Sequence, residues 1–365
     1  MRLPKDDEIE ITIFGKGIGE CLLVHVGSMK WIIVDSFTTS TGTPVVAEYL
    51  ASMGVEIAEC IKYLVVSHWH DDHIKGMSHL VRQCPSARFC CSSAFTKQEF
   101  LDLVQSFGSR NNVSAGSGVS EIKDTYEYLM KNRIRPKLAI ADRKILNIEA
   151  HDLAHGKDCD VWSLSPSDLQ CLEFLKDVGK MLPTKGETKR RATPNKENNT
   201  SVVLQITWEN ESVLLGADLE ETAHIDSGWS AIVSSDARPK IRSSVFKVPH
   251  HGSSNGHHQP VWDEMLIENV QAAVTPYNAG SKKLPSPADI YRLLNSTDNA
   301  YLAGRSSKIS AIGKNSTVSK IIKDVTKEYH EYSQDYGYVQ FRKKIGSAGS
   351  WSVFKSPLAS HLEDL

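Results

Sequence analysis

The chain has 365 residues, 40% hydrophobic and 24% charged, with 42 basic against 44 acidic side chains and a formal net charge of -2. These values exclude a disordered or fibrous chain, and near-neutrality removes any global attraction to polyanions, so nucleic-acid binding has to come from a local patch. The length admits one large elaborated domain or two.

The opening residues, MRLPKDDEIEITIF, carry acidic side chains where a secretory signal needs a basic patch and an apolar run. No later apolar stretch approaches the roughly 18 residues of a membrane span. The expectation is a chain that stays soluble in the cytoplasm with no membrane partner. Seven cysteines, including the vicinal pair Cys90-Cys91, lack zinc-ribbon spacing and read as reduced, mostly buried thiols.

Residues 9–14, 21–26 and 31–35 hold β-branched and apolar runs bounded by Gly and Ser, and predict a β-meander whose first turn is Gly15-Lys16-Gly17-Ile18-Gly19. Residues 44–53 show helical spacing of apolar positions, and 61–66 are the continuous apolar run of a buried strand. From Ile74 to about Leu153 helical patterns alternate with short strands at 87–91 and 138–140, while 107–119 is a Gly/Ser/Asn-rich loop. A strand is predicted at 161–164. Between Gly179 and Asn199, Lys180, Lys185, Lys189, Arg190, Arg191 and Lys196 stand among few apolar residues, the composition of a mobile surface loop. A hairpin pairs 201–208 with 212–216 around a turn at 209–211. Strands at 245–248, 270–275 and 299–303, a helix at 287–294 and a closing strand at 336–341 complete the pattern. With no solenoid repeat and no clean linker, the reading is one α/β domain over 1–345, with an insertion at about 74–160 and a basic loop at about 179–199, followed by a tail at 346–365.

The chemistry concentrates in His68-Trp69-His70-Asp71-Asp72-His73, directly after the strand 61–66. In the loop beyond a strand tip, His68 and His70 can face one cation while Asp72 and His73 face a second a few Å away. Two cations need a bridging carboxylate from elsewhere, and Asp218 follows the apolar run Leu214-Leu215-Gly216-Ala217. The other reading of Asp218 is the cap of a helix starting at Leu219. His250-His251 ends another strand; one is expected to complete the second metal and its neighbour to contact a phosphate or leaving group, with the assignment open. Ser253 and the backbone N–H groups after Gly252 suit an anionic substrate. Asp35, ending the third strand, fits a carboxylate that orients a ligating histidine or a plain surface residue.

These residues resemble the metallo-β-lactamase superfamily, through His68-x-His70-x-Asp72-His73 after a strand, and within it the hydrolase domain of the competence protein ComEC. The narrower resemblance rests on Gly17-Ile18-Gly19-Glu20 with Val34-Asp35, Asn198-Asn199-Thr200-Ser201-Val202-Val203-Leu204, Leu214-Leu215-Gly216-Ala217-Asp218 and Lys247-Val248-Pro249-His250-His251-Gly252-Ser253, over roughly residues 8–345. It implies an αββα metallo-β-lactamase sandwich with two divalent metal ions at the edge between the sheets, and hydrolysis by an activated water, with Asp72, Asp218 and His250 in catalytic roles. Many superfamily members place a further histidine before the bridging Asp. Here that region reads Asn198-Asn199-Thr200-Ser201, so Asn199 or water is expected to fill the gap, which softens the preference for zinc and admits manganese.

The expected substrate is a phosphodiester, most simply in DNA, with Lys189, Arg190, Arg191 and Lys196 and the later Arg305, Lys308, Lys314, Lys320 and Lys323 lining a backbone-binding groove, or else forming ordinary solvated charge. A small or cyclic nucleotide is the alternative substrate. A third expectation is a subunit whose site needs a protein partner.

Overall fold

The computed structural model describes residues 2–106, 113–114, 117–181, 190–191, 197–222, 224–279, 282–304 and 335–365. In chain order its strands are β1 (Glu8–Gly15), β2 (Glu20–His25), β3 (Trp31–Val34), β4 (Ile61–Val66), β5 (Arg88–Ser92), β6 (Val113–Ser114), β7 (Lys137–Ala139), β8 (Arg143–Ile148), β9 (Cys159–Ser163), β10 (Arg190–Arg191), β11 (Leu204–Trp208), β12 (Glu211–Leu215), β13 (Ser243–Lys247), β14 (Leu266–Val274), β15 (Tyr277–Ala279), β16 (Lys282–Leu284), β17 (Ala300–Leu302), β18 (Gly337–Lys344), β19 (Ser352–Lys355) and β20 (Ser360–His361). Two eight-stranded sheets form, one in the order β19-β18-β1-β2-β3-β4-β5-β7 and one in the order β20-β17-β14-β13-β12-β11-β9-β8.

Both sheets obey the same plan. In the first, β18, β1, β2 and β3 run antiparallel and β3, β4, β5 and β7 parallel. In the second, β8, β9, β11 and β12 run antiparallel and β12, β13, β14 and β17 parallel. Parallel strands need crossovers, and here these carry helices, among them α1 (Val45–Ser52), α4 (Met77–Gln83), α5 (Gln98–Ser106), α6 (Ser117–Lys131), α8 (Gly228–Ser234) and α9 (Pro287–Ser296), while α7 (Asp168–Met181) lies between the antiparallel β9 and β11.

Strand parity explains the nearly unbroken apolar runs. Ile32, Val34, Tyr63 and Val65 face the second sheet, where they meet Val161, Ile206, Trp208 and Val213. Their alternates Trp31, Ile33, Leu64 and Val66 face outward onto Val46, Leu50, Leu80, Phe100 and Ile122 of the helices. Leu214, Phe246 and Val274 likewise turn away from the inter-sheet core toward Trp229 and Leu293. A strand covered on both faces has no polar side to display, which is why alternation is absent from 61–66. The result is an α/β sandwich, two mixed sheets packed face to face with helices on their outer faces.

Segment 74–160 supplies β5 and β7 to the first sheet and β8 to the second, so it is woven through the sandwich, with α5 and α6 on its outer face. Residues 346–365 add an edge strand to each sheet, since β19 pairs with β18 and β20 with β17. Trp351 is buried and its Nε1 donates to Ser244 at 2.9 Å. Among the expectations, β8 and both tail strands were not signalled, being short or half-polar. All seven cysteines are free, and six are buried. Among the described residues no helix is long and apolar enough to cross a membrane. Lys185, Lys189 and Lys196 lie outside the described residues, as do Arg305, Lys308, Lys314, Lys320 and Lys323; Arg190 and Arg191 enter only as backbone, paired with Val113 and Ser114.

One core histidine makes the fold acid-sensitive. His25 is fully buried on β2, its Nδ1–H donating to Glu8 O at 2.9 Å and its ring 4.5 Å from that of Trp31. Burial pushes its pKa down from 6.5 to about 4. The unfolded chain therefore binds the extra proton first, and the stability held above pH 6.5 drains as pH falls toward 4, by up to about 3 kcal/mol. His25→Asn, which keeps an N–H donor near Nδ1, is expected to flatten the fall of Tm between pH 6.5 and 4; an unaltered slope would refute this assignment.

Candidate metal centre

The parallel strands of both sheets end at the same edge, and their tips carry the titratable cluster, as expected for an α/β site assembled beyond carboxyl ends of strands. His68 and His70 come from the loop after β4, Asp218 from the turn after β12, and His251 from the turn after β13. Trp69 sets the loop's orientation. It is buried against Phe100 and Phe174 at ring distances of 5.2 and 6.3 Å, so its two histidine neighbours are turned the other way. His68 Nε2 then stands 3.0 Å from His70 Nδ1, two donor atoms close enough to share one cation.

A second, deeper group consists of Asp72, His73, Asp218 and His251, all buried, with one ligand atom from each lying within 4.8 Å of the others. Asp72 and His73 lie on the short turn α3 (Asp71–Ile74). His73 Nε2 is 3.4 Å from Asp218 Oδ1 and 3.7 Å from Asp72 Oδ2. His251 Nε2 is 3.4 Å from Asp218 Oδ2 and 3.3 Å from Asp72 Oδ2. Asp218 thus touches both imidazoles of this group. No helix begins at Leu219; α8 starts at Gly228, so the reading of Asp218 as a helix cap is set aside.

Asp35 lies behind this cluster. Its carboxylate accepts from Ser67 N–H at 2.7 Å, Ser67 Oγ at 2.6 Å and His73 Nδ1 at 2.8 Å, which fixes the tautomer that presents Nε2 to the cluster. The same Ser67 hydroxyl lies 3.0 Å from His68 Nδ1. Backbone strain gathers at these positions, since Asp35, Ala217, His250 and His251 all adopt left-handed φ values between 44° and 62°. Such geometry costs about 1 kcal/mol or more per non-glycine residue and persists where surrounding packing enforces it.

The donor set fits a divalent cation. His73 Nε2 and Asp218 Oδ1 are buried without a hydrogen-bond partner, a costly arrangement for polar atoms that a cation relieves. Electrostatics agrees. Burial pulls His73 down, but Asp218 and Asp72 more than offset it and hold the ring well above its usual range. For His251 the same opposition, with Asp218 foremost among the raising groups, leaves a pKa of about 9. Asp218, despite burial, is held well below the carboxylate range by His251 and His73. The carboxylates are drawing positive charge to this point.

His250 occupies different surroundings. It is buried, its ring 6.2 Å from that of His251, with Nδ1 3.2 Å from Glu220 Oε1 and Nε2 3.4 Å from Asn198 Nδ2. Asn198 donates to Glu220 at 2.8 Å. Asn199 is buried on the same turn (Glu197–Thr200), whose polar contacts to the site run through Asn198. His151 is exposed and His155 bonds Val26 O, so neither joins the site. The N–H groups of Gly252 and Ser253 are spent within the turn on Pro249 O and His250 O, and Ser253 lines a small cavity with Trp229, Phe246 and His257, so the expected anion cradle is not formed by these atoms. Sequence reasoning passed over Asn198, Glu220, Thr275 and Tyr277; their signal was position, each lying within a few residues of a strand tip.

Residues 14–141 match the model of the metallo-beta-lactamase superfamily. No curated protein matches the chain. Among solved structures, the chain is similar to the metallo-beta-lactamase fold protein YhfI from Bacillus subtilis at 11% identity and a TM-score of 0.34, covering 66% of this chain and 70% of that one. It is similar to the metallo-beta-lactamase SMB-1 at 15% identity and a TM-score of 0.32, covering 73% and 81%. For hydrolase AbOPH the identity is 14% and the TM-score 0.30, over 57% and 58%. Asp72, His73, Asp218 and His251 form a buried His/Asp cluster with the donor set of a metal site.

Asp35 reaches the cluster through His73. Asp35→Asn removes an acceptor from a carboxylate holding three donors, and zinc affinity is expected to fall about 10- to 100-fold. Competition against a chromophoric chelator measures it, and equal affinity in the two proteins would exclude the role.

Proposed function

We propose that this protein is a phosphodiesterase acting on nucleic acid, DNA in the first instance, with two divalent cations, zinc or manganese, at the cluster. The observation that carries the reading is the division of labour in the histidine pair: His251 joins the ligand group, while His250 stands beside it against Glu220 and Asn198. A bound divalent cation supplies Lewis acidity toward a phosphoryl oxygen and water. His68, His70, His73, Asp72, Asp218 and His251 would hold the cations. Glu220 Oε1, 3.2 Å from Nδ1, favours a proton on the His250 ring, which would hold it beside the ligands for the departing alkoxide oxygen. An alkoxide leaves poorly without that proton, so a buried donor beside the ligands suits a phosphodiester.

Two residues at the same edge favour a substrate carrying phosphate and bases. Tyr277 on β15 is half-buried, its ring 5.0 Å from that of His251. Exposed Lys282 on β16 places Nζ 5.9 Å over the Tyr277 ring, and among the described residues no carboxylate pairs with it. An aromatic face and a free cation next to the ligands match an unpaired base and its phosphate. The sequence blocks resembling the ComEC hydrolase domain support the same substrate class.

The test is a screen of single-stranded DNA, double-stranded DNA, RNA and cyclic nucleotides under zinc and manganese, with elemental analysis of the purified protein. Turnover of oligonucleotides, abolished in His68→Ala/His70→Ala, is expected; activity retained by metal-free protein would overturn the reading. Turnover of cyclic nucleotides alone would replace nucleic acid by a small diester. In the oligonucleotide assay Tyr277→Ala is expected to raise KM about 5- to 100-fold, since base stacking contributes about 1 to 3 kcal/mol, with kcat within about twofold. Unchanged KM would remove Tyr277 from substrate binding.

A further inference from the structure

Lys247 ends β13 with no solvent exposure, an unusual place for an ammonium group. Its Nζ lies 2.5 Å from Glu20 Oε1, donates to Ala217 O at 2.8 Å and stands 3.7 Å from Asp218 Oδ1. Glu20 opens β2 in the opposite sheet and is equally buried. The pair therefore joins the two sheets directly behind the ligand group. From Glu20 the connection continues, because Thr275 Oγ1 donates to Glu20 Oε2 and lies 3.1 Å from His251 Nδ1. One arm reaches the left-handed residue before Asp218 and the Asp218 carboxylate itself; the other reaches the far side of the His251 ring.

Burying two charges costs several kcal/mol per ion, and an apolar pair of similar volume often serves stability as well or better. Core stability gives no reason for charges here. Their contacts do: both arms terminate on the two ligands that the second sheet contributes to the deep group. We propose that Glu20 and Lys247 form a charged clamp whose task is to position Asp218 and His251 for the cation, with Thr275 as its link to the imidazole. They are positioning residues.

The double variant Glu20→Gln/Lys247→Met keeps the net charge of the region and leaves no lone buried ion. Zinc affinity, read by chelator competition with the zinc content per chain, is expected to fall at least about tenfold, as for other groups that orient ligands. Tm of the metal-free protein is expected to stay within a few degrees of wild type. Unchanged affinity overturns the clamp, and so does a loss of affinity accompanied by a matching collapse of the metal-free fold. Thr275→Val keeps shape and charge and cuts only the His251 arm. It should weaken zinc binding at least threefold with Tm unchanged, and full affinity in this variant overturns the proposal even where the double variant fails to fold. Lys247→Met alone gives a sign test. Were Lys247 merely a repelling charge, removing it would tighten zinc binding; the clamp predicts weaker binding. None of these measurements uses a substrate, so a wrong substrate class leaves their outcome untouched.

Discussion

Four carboxylates, Glu20, Asp35, Asp72 and Asp218, stand nearly dry at one edge of the sandwich, at exposures of 0, 0, 7 and 2%. Carboxylates are seldom buried without partners, because each loses several kcal/mol of hydration. Each here has its own solution. Asp35 accepts from Ser67 and His73, while Glu20 is ion-paired with Lys247 and accepts from Thr275. Among the described residues Asp72 and Asp218 instead face imidazoles and, for Asp218, the more distant Lys247. The uncompensated charge is thus confined to the pair of groups that a divalent cation would bridge.

The fold makes this concentration possible. Each sheet consists of an antiparallel half followed by a parallel half, and the parallel halves end at a common edge. Loops there are free of the ladder pairing that occupies strand interiors, so ligands, strained residues and turns collect without disturbing the core. The same tips hold the left-handed Asp35, Ala217, His250 and His251, strain that the surrounding packing absorbs. The inter-sheet core around Trp208, Phe341 and Ile206 then keeps two loop systems from different sheets in fixed relation.

What the sequence disclosed follows from this division. Strands buried on both faces announce themselves as apolar runs, so 61–66 was legible to the residue. The histidine motif was legible because its ligands are adjacent in the chain. Partnerships across the sheets were not. Nothing local in Gly19-Glu20-Cys21 points to Lys247, more than two hundred residues away, and nothing in His250-His251 tells which ring turns toward Asp218. That choice is made by Thr275 behind one ring and by Glu220 and Asn198 beside the other. The short strand Arg143–Ile148 and the tail strands were hidden for a related reason: edge strands are stabilised by a neighbour already in place, and need little pattern of their own.

The absence of a histidine before Asp218 takes on a physical meaning in this setting. The His68/His70 pair offers two imidazoles, and His70 is only half-buried. The deeper sector offers two imidazoles and two carboxylates, all buried, and each of its ligands but Asp72 has a support of its own in Asp35, Thr275 or Lys247. More negative charge in a drier place binds a cation more strongly, and pre-oriented ligands lose less entropy on binding it. The two groups are therefore unequal in charge and burial. In the region where a further ligand would be expected, Asn198 is instead drawn to Glu220 and His250.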